Sequence, residues 1–208
     1  PDVPRHGYSS HTSGFTLIEL LAVIAVIAIL AGILVPVVVS AMERARIAKS
    51  TTNLREIGTA VQLYRVDNEH RFPVHRDENG DIWIEQLWPY SNPDQELIRL
   101  TATSGPDVLD GTIYYTPMVE NDVRARSFGY NYVVNFGVPN RLIGHRDAVD
   151  ICLVADSTTS SSLSVNQINY RNKGRANILF ADGHVAMRTP EEVPESHHST
   201  FWRGIDEN

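Results

Sequence analysis

The chain has 208 residues, 42% of them hydrophobic, and carries a formal net charge of -7. That mild acidity argues against a nucleic-acid partner, which asks for a basic face, and a single cysteine, Cys152, excludes an intramolecular disulfide. Beyond the first forty residues about 170 remain, enough for one domain with a core of its own.

The first feature in chain order is an apolar run. From Leu20 to Val39 the sequence reads LLAVIAVIAILAGILVPVVV, twenty residues without a charge, long enough to span a bilayer as a helix. Gly32 and Pro36 lie inside it, as membrane helices tolerate. Glu19 stands at its entrance, preceded by Ser13-Gly14-Phe15-Thr16-Leu17-Ile18. A carboxylate costs on the order of 3 kcal/mol at a bilayer centre and less near the edge, so such a residue asks for a reason. A cleaved secretory signal is one reading, with Val39-Ser40-Ala41 as a loose cleavage site, but the apolar region exceeds the usual 7–15 residues and only Arg5 precedes it as a fixed cation. A plain signal anchor holding an extracytoplasmic binding module or enzyme is another. Neither gives Glu19 a task.

Gly14-Phe15-Thr16-Leu17-Ile18-Glu19, followed by the apolar run, resembles the processing site of type IV pilins and type II secretion pseudopilins. The resemblance implies a 1–14 leader removed by a prepilin peptidase between Gly14 and Phe15, methylation of the new Phe15 amine, and an assembly role for Glu19 and Pro36. It also implies a 15–39 transmembrane and assembly helix, a 40–190 extracytoplasmic pilin-like domain and a 191–208 polar tail. The partners implied are copies of itself and related subunits, the peptidase, an inner-membrane assembly platform and membrane lipid, with no nucleic acid. The implied location is the inner membrane, then a periplasmic or surface filament. Cutting after Gly14 leaves a cationic amine near neutral pH, a partner for Glu19 of a neighbouring subunit where the dielectric is low. The cations Arg44, Arg46 and Lys49 follow the run, and a bare positive-inside count would leave the domain in the cytoplasm. The chain opens on Pro1, and further leader residues, basic ones included, are expected ahead of it.

Past Pro36 the helical pattern continues. Ala41, Ala45, Ala48, Leu54, Ile57, Val61 and Tyr64 mark an apolar stripe, predicting one helix from about Phe15 to Asp67, bent at Pro36 and roughly 80 Å long. Asn68–Pro73 closes it. Asp81–Trp88 reads as a short helix stopped by Pro89, burying Trp83, Leu87 and Trp88. Strands are predicted at Thr112–Thr116, Gly129–Val134 and Asp150–Ala155, the last placing Cys152 in a buried position. Ser157–Ser162 reads as a polar loop, and Ala176–Arg188 as a hairpin turning at Asp182-Gly183. The tail after Pro190 reads as polar and mobile.

These elements predict an α+β fold, a long helix packed on a small antiparallel sheet. The downstream region is similar to a group of large pilin-like proteins of planctomycetes and their relatives, through Trp83…Trp88-Pro89-Tyr90, Phe128-Gly129-Tyr130-Asn131 and Ala176–Val185. That group often carries a histidine nine residues before Asp-Gly; here Asn172 takes the histidine's place ahead of Asp182-Gly183.

Candidates for chemistry in the domain are His145 with Asp147 and Asp150, Asp156 with Ser157, and Asp182 with His184. Each has a plain alternative as a charged loop or a turn, and no nucleophile elbow, phosphate loop or His-Glu-x-x-His is present, so no catalytic residue is assigned. Calcium is the one cofactor considered, with Asp147, Asp150, Asp156 and Asp182 as oxygen ligands. Tyr114, Tyr115, Tyr130 and Tyr132 read as cross-strand packing.

Overall fold

The computed structural model describes residues 15–100, 106–118, 128–131, 148–158, 162–196 and 199–203. Two compact units result, Pro1–Glu43 and Arg44–Asn208.

Helix α1 runs Leu17–Asp67 and contains Pro36. In the first unit it buries nothing: its large apolar side chains, with Phe15 before it, are 44–81% exposed through Val39. In the second unit the same helix turns a stripe inward, formed by Ser50, Asn53, Leu54, Ile57, Gly58, Ala60 and Val61. The three- and four-residue spacing is that of one helix face. Ala41, Ala45 and Ala48, expected in this stripe, are exposed. Packing begins instead at two polar residues, which an apolar pattern cannot reveal. Asn53 Nδ2 donates to the Tyr115 carbonyl at 2.6 Å, and Ser50 Oγ accepts from Asn177 Nδ2 at 3.4 Å. Past its last turn, His70 N returns to the Arg65 carbonyl at 2.8 Å, with Glu69 (φ 54°) and His70 (φ 61°) both in left-handed backbone.

Helix α2 spans Trp83–Ser91, passing through Pro89 rather than stopping before it. Ser91 Oγ bonds back to the Leu87 and Trp88 carbonyls, and Asn92 N to Trp88 O, which closes the last turn without the proline's N–H. Its start is held by buried Glu85, whose Oε2 accepts from Ile82 N and whose Oε1 accepts from Leu100 N, both at 2.8 Å.

The sheet has five strands: β1 Phe128–Asn131, β2 Cys152–Asp156, β3 Ser162–Leu163, β4 Ala176–Phe180 and β5 Val185–Arg188, in the order β3-β1-β2-β4-β5. It is mixed. All pairings are antiparallel except β1 with β3, which run parallel. The fold class is therefore the expected α+β, with the sheet corrected from purely antiparallel.

Thr112–Thr116 is not a strand. Thr112 Oγ1 accepts from Tyr114 N and donates to Leu109 O, and Gly111 sits at φ +77°, so local side-chain bonds win the backbone over to turns. At the hairpin only Gly183 has positive φ (+96°). Gly183 N bonds Phe180 O and Phe180 N bonds His184 O, which makes a three-residue loop with a bulge rather than a two-residue turn.

Two cores flank the sheet. On one face α1 and α2 contribute Leu54, Ile57, Val61, Trp83, Leu87 and Trp88 against Tyr130, Leu153 and Leu179. Trp83 stacks on Tyr130 at 5.5 Å and meets Tyr114 edge-on at 5.6 Å, so these tyrosines pack around an indole rather than across strands. The second face is covered by Val193, Phe201 and Trp202 against Cys152, Leu163, Ile178 and Phe180. Part of the expected polar tail is thus core: Trp202 is fully buried, its Nε1 donating to the Pro194 carbonyl at 2.9 Å and its own carbonyl accepting from Asn131 Nδ2 at 3.0 Å, while Glu191, Glu192, Glu195 and Ser196 are exposed. A sheet whose central strands β2 and β4 are buried throughout needs cover on both faces, and the chain end supplies the second.

Candidate functional site

The segment that carries the strongest sequence signal opens α1. Phe15 is 77% exposed and Gly14 lies outside the described residues. Thr16 and Glu19 form a reciprocal box. Glu19 Oε2 accepts from Thr16 N at 2.9 Å and from Thr16 Oγ1 at 2.6 Å, and Glu19 N donates to Thr16 Oγ1 at 3.3 Å. With Leu20 N bonded to the Thr16 carbonyl at 3.2 Å, Thr16 is the residue that starts the helix. The arrangement satisfies amide hydrogens that a helix start otherwise leaves free, and a carboxylate there complements the helix dipole. Thr16 escaped the sequence reading although its signal was available: a threonine with a glutamate three residues on is the capping-box spacing.

Behind the box stretches the exposed apolar surface. Leu17–Asp67 is long and apolar enough in its first part to cross a membrane, and that part is unburied. Leu, Ile and Val favour bilayer insertion by about 0.3–0.6 kcal/mol each, so the fourteen of them between Leu20 and Val39 outweigh one carboxylate near the edge. Pro36 lies within this exposed stretch.

The other candidates scatter. His145 and Asp147 lie outside the described residues. Asp150 is in an exposed turn. Asp182 and His184 do meet, Nδ1 to Oδ1 at 2.7 Å, and the same Oδ1 accepts from His184 N at 3.0 Å while the ring stacks on Phe180 at 4.4 Å. These contacts complete the hairpin bulge and place no described nucleophile beside the imidazole. Asp156 is fully buried and accepts from Asn172 and Asn177, far in character from an open calcium loop. Among the described residues no three His, Cys, Asp or Glu side chains gather where a metal could sit. Cys152 is likewise inert: burial pushes its thiol far up, away from the reactive thiolate.

A helix with one uncovered apolar half, a capped acidic start and a small mixed sheet defines a membrane-anchored pilin-like subunit. Residues 9–35 match the family model for the prokaryotic N-terminal methylation motif. The chain is also 38% identical over 112 residues to the type II secretion system core protein G of Pseudomonas aeruginosa, covering 45% of this chain and 78% of that protein. No solved structure matches. The chain belongs to the type IV pilin and type II secretion pseudopilin superfamily.

Proposed function

We propose that the chain is a structural subunit of a type IV pilus-like or type II secretion pseudopilus filament. It enters the membrane as a precursor, is cut between Gly14 and Phe15, and is N-methylated at Phe15. The observation that carries this reading is the apolar half of α1, which its own chain leaves uncovered over more than twenty residues. In the membrane, lipid covers that surface; in the filament, the helices of other copies and related subunits do. The domain then lies outside the cytoplasmic membrane, and the protein works by assembly rather than by catalysis.

Glu19 links processing to assembly. Before cutting, its carboxylate is held by Thr16. After cutting, the Phe15 amine becomes a cation one residue from Thr16, within reach of a Glu19 from the same or a neighbouring subunit. A charge pair in low dielectric is strong only when complete, and stranding one member is costly, so the pair sets the register of packing.

The test is expression with a prepilin peptidase and assembly machinery, followed by shearing of the cells. Wild-type protein is expected in the sheared filament fraction. Glu19→Ala is expected to be cut normally yet to stay in the membrane fraction. Normal assembly of that variant overturns the pairing, and wild-type protein that is never sheared off marks a plain anchor.

A further inference from the structure

Asp156, at the end of β2, is fully buried and uses its two oxygens unequally. Oδ2 accepts from Asn172 Nδ2 at 2.9 Å and from the Asn177 amide at 2.8 Å. Oδ1 is just as buried and has no hydrogen-bond partner. Neither has Oδ1 of Asn172, a residue only 2% exposed. As a carboxylate, Asp156 therefore leaves two buried acceptors unmet in one amide–carboxylate contact, and each unmet group costs about 1–3 kcal/mol. A carboxylic acid removes both defects at once. Its Oδ1–H donates to Asn172 Oδ1, while Asn172 Nδ2 already donates to Oδ2, and an eight-membered acid–amide ring closes.

We propose that Asp156 is a proton-binding site of the folded domain: on mild acidification its Oδ1 takes one proton from solvent and closes a ring with Asn172, tightening the domain. The site lies at a junction. Asn172 belongs to the turn leading into β4, and Asn177 of β4 also contacts Ser50 and Thr51 of α1, so the carboxyl group joins β2, the turn and, through Asn177, the helix.

Few groups face this carboxyl. From the turn comes Arg171, which donates through Nη2 to the Ser157 carbonyl and keeps a buried Nε without a partner. Lys173 and Arg175 of the same turn are exposed. Strand β1 brings apolar Phe128 and Gly129 and β4 the neutral Asn177, whose side chain is held in turn by the Ser50 and Thr51 hydroxyls of α1. Cys152 on β2 stays a thiol. Among the described residues Arg171 is the cation that favours the charged form, together with the hydrogen bonds from Asn177 and Asn172, and burial outweighs them, raising the Asp156 carboxyl to about 6.

The sign follows by linkage. The folded value lies above the unfolded one, so the stabilisation is complete below about pH 4 and is lost as pH rises through about 6. From this group alone the unfolding constant should rise on the order of a hundredfold between pH 4 and pH 8. Asp156→Asn places a neutral amide where the acid stands and keeps the ring at every pH.

The experiment uses the full chain in detergent micelles. Its first arm follows the carboxyl ¹³C resonance of Asp156 against pH in the wild-type protein, where a midpoint near 6 is expected. A midpoint at or below 4 overturns the proposal whatever the variant does. The second arm compares denaturant unfolding of wild type and Asp156→Asn at pH 4 and pH 8. The variant should gain relative to wild type on going from pH 4 to pH 8; a relative loss over that range contradicts the ring.

Discussion

The two halves of α1 belong to one continuous helix and behave in opposite ways. Ile27 is 58% exposed and Ile57 fully buried. Between Ser50 and Val61 the chain supplies its own cover, and a polar seam of Ser50, Thr51 and Asn53 anchors the helix to β4 and to the Tyr115 carbonyl. Between Leu17 and Val39 it supplies none, and the sequence there has no polar face at all. Amphipathicity marks the half whose partner is in the same chain. Uniform apolarity marks the half whose partner is outside it.

Substitutions can break this contrast. The largest effects belong to the indoles of the two cores. Trp83→Ala removes a fully buried ring stacked on Tyr130, and Trp202→Ala removes the cover of the second sheet face. Each should lose about 3–5 kcal/mol in denaturant unfolding of the full chain in micelles. An effect of Trp202→Ala below about 1 kcal/mol would return the chain end to the status of a mobile tail.

Next comes the pair of isoleucines. Ile57→Ala should cost about 2–5 kcal/mol of domain stability, whereas Ile27→Ala should leave it within about 0.5 kcal/mol while weakening filament assembly. Equal effects on domain stability would erase the distinction between the halves.

Thr16→Ala is subtler. Losing the side-chain half of the box should fray the first turn, speeding hydrogen exchange there to that of an uncapped helix, with no change in the domain's unfolding midpoint. Unchanged protection at Leu20 would deny the box its role. The smallest effect sits at the far end of the helix, where Glu69 holds φ 54° without being glycine. Glu69→Gly should stabilise the domain by about 0.4–1 kcal/mol in the same unfolding assay.

How much of this was legible beforehand follows from what each interaction leaves in the sequence. The long helix, β2, the β4–β5 hairpin and the burial of Trp83, Leu87 and Trp88 came from periodicity, turn residues and apolar clusters, which are local signals. The errors cluster where distant contacts decide. The stripe on α1 begins at Ser50 because Asn177, far along the chain, offers it a partner, and a pattern of apolar residues does not register a hydrogen bond. Pro89 sits inside α2 because Ser91 and Asn92 close the turn behind it. Phe201 and Trp202 stand in an otherwise polar stretch, and nothing local shows that the second face of the sheet lacks cover. The opening of α1 was the most legible part, because the methylation motif is a contiguous stretch of chain rather than a site assembled from distant strands. Thr16 alone was missed there, although its spacing to Glu19 announces the box.

The central claim is that the Gly14–Phe15 bond is cut and the new end used in assembly. Mass spectrometry of the protein's amino terminus, from cells carrying a prepilin peptidase, tests it most directly. N-methylated Phe15 is the predicted terminus. An uncut leader, or a terminus at Met42 left by a removed signal peptide, would contradict the account.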